Sequence, residues 1–322
     1  MLRFPFGLLV LLLCTLLLPG CYNGNKEDII QIKPGEVKVR RTFDGNHPIK
    51  VVCTTGMVAD LVRNVGGKHV KVTQLMASNV DPHLYEAGTE DIAKLKTADL
   101  IVYNGLHLEG KMADTLHTMG TRSPAFAVAN YLPADRVRNI PKEGLDPHIW
   151  FDVSLWNEAR EGVQKVLSKF DPKHAGDYAK QGRAYGEKLE ELHKWTKTKL
   201  ARIPKEQRVL ITAHDAFEYF GKAYDVDVRG IQGISTESEA SIKHRQDLVK
   251  LIVDNKIKAV FVETSVNEEN VKNLIEACKV RKYRVEEGGT LYSDAMGDPG
   301  SSADTYIGMV RHNVNTIVAA LK

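Results

Sequence analysis

Cysteine is scarce, with four in 322 residues, and Cys14 and Cys21 fall in an N-terminal stretch unlike the rest of the chain. Only Cys53 and Cys278 remain for the folded part, which excludes a disulfide framework and a thiolate metal cluster. Their apolar surroundings read as small buried side chains. Long basic runs are missing too. The 44 Lys and Arg nearly balance the 41 Asp and Glu, leaving a formal charge of +3. Without a basic and aromatic stripe, nucleic acid is excluded as a partner. No Walker-type phosphate loop is present, so any nucleotide hydrolysis belongs to another subunit, and no HExxH pair marks a zinc hydrolase.

The first twenty residues carry Arg3 as their only charge, then a run of Leu, Val and Phe that ends in Leu18-Pro19-Gly20 before Cys21. This pattern predicts a secretory signal over 1–20. The run is short for a membrane span and is interrupted by Pro19-Gly20. A small residue directly before a cysteine resembles the bacterial lipobox, which implies lipidation of Cys21 as the mature N-terminus. Pro19 departs from the usual residue there, and the simpler alternative is cleavage nearby to release a soluble protein. Residues 21–47 mix Asn, Gly, Lys, Glu and Asp with few large apolar residues, as in a solvated tether.

The remaining length is enough for two cores. Strand and helix patterns alternate from residue 48: strands near 48–53, 70–75, 99–103 and 125–128, with helices near 56–65, 89–96, 110–119 and 155–170. Alternation of this kind predicts an α/β lobe with a parallel sheet, residues 48–170. Asp171-Pro172 then starts a helix running to about Ile203. As one piece of roughly 30 residues, about 45 Å long, it would be a spine with much of its charged circumference in water; the alternative is two helices bent at Gly182 or Gly186. A second series follows in 204–322, with strands near 209–212, 228–231, 259–263 and 284–287 and helices near 216–223, 241–255, 268–282 and 303–321. The expected fold class is therefore α/β, two similar lobes with parallel sheets flanked by helices, joined by a long spine helix. Ligands of open parallel sheets bind beyond the carboxyl ends of the strands.

Asp81-Pro82-His83-Leu84-Tyr85 and Asp146-Pro147-His148-Ile149-Trp150 repeat one pattern of Asp, Pro, His, aliphatic, aromatic. Pro fixes the backbone ahead of each histidine, and the Asp two residues earlier can hydrogen-bond the loop or the ring N–H that faces away from a metal. One such triplet alone could be a structural turn; two in one lobe point to a metal site. In the second lobe, Ile211-Thr212-Ala213-His214-Asp215 places a histidine at the end of an apolar strand, where a satisfied helix-start histidine is the plain alternative. A fourth ligand would come from the loop 291–298, where Asp294 and Asp298 are both candidates.

With NGLHLE at 104–109, the GIST and ES segments, and YSDAMGD, these motifs resemble the TroA-type and ZnuA-type solute-binding proteins of zinc and manganese ABC importers, over about Ile49 to Lys322. The resemblance implies His83, His148, His214 and Asp294 as direct ligands of one divalent transition-metal ion, Zn²⁺ or Mn²⁺ with Fe²⁺ as a further cargo. Asp81 would be an adjacent carboxylate, and His107 is not a ligand in the family. Histidine at the third position, where streptococcal manganese receptors usually carry glutamate, sides with the TroA and ZnuA branch. The long histidine-rich loop of zinc-specialised members is missing. Implied partners are a membrane permease with a separate ATPase subunit and the membrane itself through an N-terminal lipid; the protein would act as a monomer in the bacterial envelope. A spine helix would restrict opening to small rotations, and binding would fall below about pH 6 as histidines protonate. The competing class is a zinc hydrolase with Glu86 or Glu218 as base, which a fourth protein ligand would preclude by closing the site. An added adhesin or scaffold role fits a lipid anchor equally well.

Overall fold

Four apolar segments of the first half build one parallel sheet because each is short, bounded by turn residues and followed by a helix that covers it. The computed structural model describes residues 35–37, 39, 41–141 and 143–322, which belong to a single compact unit. The predicted signal and Cys21 lie outside the described residues. Strands β1 (Ile49–Cys53), β2 (Val70–Gln74), β3 (Leu100–Tyr103) and β4 (Ala125–Ala127) pair in the order β2-β1-β3-β4, all parallel. Helices α1 (Gly56–Gly66), α2 (Thr89–Lys96), α3 (Ala113–Arg122) and α4 (Val153–Phe170) connect or follow them. Helix α1 shows how the pattern works: Met57, Val58, Leu61, Val62 and Val65 are all buried, at helical spacing, and the Thr55 hydroxyl caps it by accepting from the Val58 N–H.

Sequence reading missed a short antiparallel hairpin, β5 (Asn139–Ile140) with β6 (Gly144–Leu145), just ahead of the second Asp-Pro-His motif. It also misjudged the tether's end. Val37 is buried, its carbonyl accepts from Lys169 Nζ at 2.7 Å, and the Phe43 ring lies 5.6 Å from Phe170. The few apolar residues between 35 and 47 therefore dock on the C-terminal end of α4 rather than stand in water.

Helix α5 (Ala175–Leu200) is continuous, 26 residues and about 39 Å long, entered through a 3₁₀ turn at Pro172–His174. It does not bend at Gly182 or Gly186. Both glycines face α4: a Cβ at Gly182 would come within 2.3 Å of Gln164 Oε1, and one at Gly186 within 3.2 Å of Arg160 Nε. They let two helices approach closely at one i, i+4 stripe. Tyr178, Tyr185, Leu189, Leu192 and Leu200 extend that buried stripe, so α5 packs on α1, α4 and α9 (Tyr306–Leu321) while its charged side faces solvent. One apolar core runs through this contact, from Ile49 and Trp156 to Phe217, Phe261 and Ile317.

The second half has two parallel pairs, β7 (Val209–His214) with β8 (Asp227–Gln232) and β9 (Ala259–Glu263) with β10 (Glu286–Leu291), and β7 lies next to β9. Helices α6 (Glu218–Tyr224), α7 (Ile242–Asp254) and α8 (Glu269–Val280) separate them. No helix among the described residues is long and apolar enough to cross a membrane. The last strand runs over 286–291 rather than the expected 284–287. Gly288-Gly289 lies inside this strand: a Cβ on Gly288 would lie 2.6 Å from the Phe261 ring of β9, and the register shifts between Glu287 and Thr290. Gly288→Val should therefore cost about 1–3 kcal/mol by overpacking this pair. Urea unfolding of the purified chain measures it, and an unchanged midpoint would contradict the pairing.

Candidate metal centre

Two loops from the first half and two strand ends from the second converge on one point. His83 follows β2 in a loop whose geometry Asp81 sets: Asp81 Oδ1 accepts the His83 backbone N–H at 2.9 Å, and Oδ2 accepts from the Thr236 hydroxyl at 2.5 Å. Asp146 performs the same backbone task for His148 at 3.0 Å and adds a second, accepting from the ring Nδ1 at 2.8 Å. Its other oxygen is ion-paired with Arg138. The repeated motif thus gives one turn twice, but only Asp146 reaches its histidine ring.

His214 is the final residue of β7. Glu263, the final residue of β9, grips it at both ends, accepting the backbone N–H at 2.9 Å and Nδ1 at 2.6 Å. A carboxylate on Nδ1 holds a proton there, so that Nε2 is the nitrogen directed inward for a metal. Asp294 lies three residues past β10, beside Ser293, whose carbonyl accepts from Trp150 Nε1 at 3.0 Å. Trp150 belongs to the second histidine motif, so this bond ties that motif to the Asp294 loop.

His83 Nε2 and His148 Nε2 are 3.3 Å apart, and Asp294 lies 3.5 Å from each and 3.2 Å from His214 Nε2. The ring centroids are 5.3 to 6.0 Å apart. All four side chains are buried and could hold a metal ion. His214 Nε2 and both Asp294 oxygens are buried without an aligned hydrogen bond, although their mutual distances suit ion pairs. Such orphaned atoms are costly, about 1–3 kcal/mol each, unless a cation occupies the point they face. Burial opposes charge on His214, but the Glu263 and Asp294 carboxylates outweigh it and hold its pKa well above the usual histidine value. Burial likewise would raise Asp294, yet His214 and His148 hold it well below the carboxylate range. The two groups therefore favour opposite charges across a 3.2 Å separation.

The other candidates lie elsewhere. Asp298 is exposed, and His107 is exposed in a left-handed turn with φ 66°. Asp81 supports His83 from behind and is not among the four converging groups. Glu86 is exposed and pairs with Lys111, and Glu218 pairs with Arg138 at 3.7 Å, so neither proposed base faces the cluster. Sequence reasoning missed Glu263 and Thr236. For Glu263 a signal existed, since a carboxylate that ends an otherwise apolar strand, Ala-Val-Phe-Val-Glu, sits at the ligand-binding edge.

Residues 51–320 match the family described as zinc-uptake complex component A periplasmic. The chain is 47% identical over 277 residues to the manganese-binding lipoprotein MntA of Bacillus subtilis (strain 168), covering 85% of this chain and 90% of that protein. It is 44% identical over 271 residues to the zinc-binding protein TroA of Treponema pallidum (strain Nichols), covering 84% and 88%. The solved structure of periplasmic TroA from that organism superposes with a TM-score of 0.83 over 86% of this chain and 99% of that one. A metal ABC transporter substrate-binding lipoprotein, SloC of Streptococcus mutans, is 32% identical over 281 residues, 85% of this chain and 90% of that one.

The grip of Glu263 on His214 yields a direct test. Glu263→Gln keeps an acceptor but removes the charge that fixes the ring, and should weaken zinc binding by about 10–100-fold. Competition titration against a chelator measures it; unchanged affinity would remove Glu263 from the site.

Proposed function

The chain belongs to the zinc-uptake complex component A family, and from that membership we propose that it is an extracytoplasmic receptor that captures one divalent transition-metal ion and delivers it to an ABC permease. The observation that carries the reading is the set of orphaned buried atoms, His214 Nε2 and both Asp294 oxygens, directed at the point faced by His83 and His148. Three imidazoles with one carboxylate satisfy Zn²⁺ as a closed four-coordinate centre, and a bidentate Asp294 suits Mn²⁺ or Fe²⁺. The similar proteins bear the names manganese-binding and zinc-binding, which supports the same cargo class here.

In this proposal residues 48–170 and 204–322 act as lobes, joined by 171–203, with two ligands from each. The ion closes the junction. The packing of α5 on α1, α4 and α9 opposes a wide hinge, so release proceeds by local loop movement. His83 is the natural edge for entry and exit, since its neighbour Leu84 is 44% exposed while His148 and His214 are fully buried. The chain would act as a monomer, held outside the membrane by a lipid on Cys21, with ATP hydrolysed by a separate subunit. Catalysis is not part of the proposal, because four protein ligands leave no open position for an activated water.

Native mass spectrometry should find one tightly held ion in the wild type. His148→Ala and Asp294→Ala should each weaken zinc binding more than about 100-fold, beyond the 10–100-fold typical of supporting groups. Retention of the ion in both variants would overturn the assignment.

Proton release provides a separate check. The metal-free His214 carries a proton that must leave before Nε2 can ligate, so affinity rises with pH until the raised pKa of His214 is passed. Below that pKa each pH unit should lower affinity by about tenfold per displaced proton, so the decline should set in at a higher pH than an unshifted histidine would give. Calorimetry in buffers of different ionisation enthalpy should register at least one proton released at neutral pH; none released would place the proton elsewhere.

A further inference from the structure

Three more histidines meet at the opposite edge of the first sheet. His47 lies two residues before β1 and His69 directly precedes β2. Because these strands are parallel with Ile49 opposite Val70, both histidines fall at the same amino-terminal edge. His174, in the 3₁₀ turn that opens α5, completes the group. Each offers one ring nitrogen within 4.8 Å of the others. The rings of His69 and His174 are 4.0 Å apart and that of His47 is 4.5 Å from His174 and 5.8 Å from His69.

Two carboxylates stand behind these rings as Asp146 and Glu263 stand behind the first site. Asp171 Oδ2 accepts from His174 Nδ1 at 2.8 Å, and Asp177 Oδ2 accepts from His69 Nε2 at 2.7 Å. That arrangement leaves His174 Nε2 and His69 Nδ1 as lone pairs. Asp171 is itself buried and fixed by the Tyr178 hydroxyl at 2.7 Å, and it lies 3.5 Å from His47 Nε2. His69 is buried, His174 half-buried and His47 exposed, so the group is anchored on one side and reachable from solvent on the other.

The geometry points to a second metal site, His47–His69–His174 supported by Asp171 and Asp177, taking an imidazole-preferring divalent ion of the Zn²⁺, Cu²⁺ or Ni²⁺ class. Three nitrogen donors with carboxylates mainly behind the rings disfavour Mn²⁺, Ca²⁺ and Mg²⁺, which prefer oxygen. With three protein ligands the site is open to water or a fourth group. Five-residue strands separate it from the cargo site by about 16 Å or more at 3.3 Å per residue, so the two sites do not share a ligand. An ion here would tie the segment entering β1 to the first turn of the spine helix.

Zinc counted by native mass spectrometry on the full chain tests this, with circular dichroism on every variant. Wild type in excess Zn²⁺ should hold two ions, and the variant His148→Ala with Asp294→Ala should hold one. Adding His174→Gln to that variant, or separately the exposed His47→Gln, should weaken the remaining ion more than about 100-fold, above the usual supporting-group loss, without a change in fold. Co²⁺ should give a visible absorption band that these two changes abolish. A single zinc in the wild type under excess, or a second zinc that survives both His47→Gln and His174→Gln, overturns the proposal. Because the count is made with the first site removed, failure of the cargo-site reading and failure of this one give different results.

Discussion

Three imidazoles and a carboxylate, removed from water and aimed at each other, constitute the constraint on which the remaining architecture depends. The groups set each other's titration: the Glu263 and Asp294 carboxylates raise the pKa of His214, and His214 and His148 lower that of Asp294. Opposite charges are costly in a buried place, because each loses its hydration and the pair is incompletely hydrogen-bonded. A divalent ion between them would satisfy every inward-facing atom.

Keeping four such groups together requires rigidity behind them. Each histidine is fixed from outside: Asp81 and Asp146 shape the turns, and Asp146 and Glu263 hold ring nitrogens. Those carboxylates are fixed in their turn, Asp146 by Arg138 and Asp81 by Thr236. Bonds also cross between the halves, since the Tyr219 hydroxyl donates to the Asp146 carbonyl at 3.0 Å and the Tyr306 hydroxyl to the Trp150 carbonyl at 2.6 Å. The unbroken α5 and the core that runs along it complete the frame.

Much of this was legible in the chain, because local rules govern it. The alternation of strand and helix patterns follows from covering a parallel sheet on both faces, and the paired Asp-Pro-His motifs encode a turn that reads identically wherever it occurs. What was not legible depends on partners distant in sequence. Glu263 becomes a support only because β9 lies beside β7, and the last strand extends past Glu287 through Gly288 because the Phe261 ring on the neighbouring strand leaves no room for a side chain there. Val37 and Phe43 are too few to signal packing, yet they dock because the end of α4 presents Phe170. The same distance in sequence hid the His47, His69 and His174 group, which only the β1 and β2 register and the start of α5 bring together.

Under the proposed assignment, choice of cargo turns on Asp294, the fourth ligand. Zinc generally binds nitrogen and oxygen sites more tightly than manganese, and the three imidazoles, two of them held at Nδ1, favour that order. Asp294 differs from them, as neither of its oxygens is held by a hydrogen bond and both face the pocket, Oδ1 toward His148 and Oδ2 toward His83 and His214. It can engage an ion through one oxygen or through two, and that alone changes the coordination number from four to five. The orientation of this carboxylate is set by the chain between β10 and α9, anchored at Ser293 by Trp150 and by the Ser265 hydroxyl 3.0 Å away. Under the proposed ligand assignment, discrimination between a small tetrahedral ion and a larger one of higher coordination falls to the Asp294 loop and its two anchors, with the three imidazoles supplying affinity common to both.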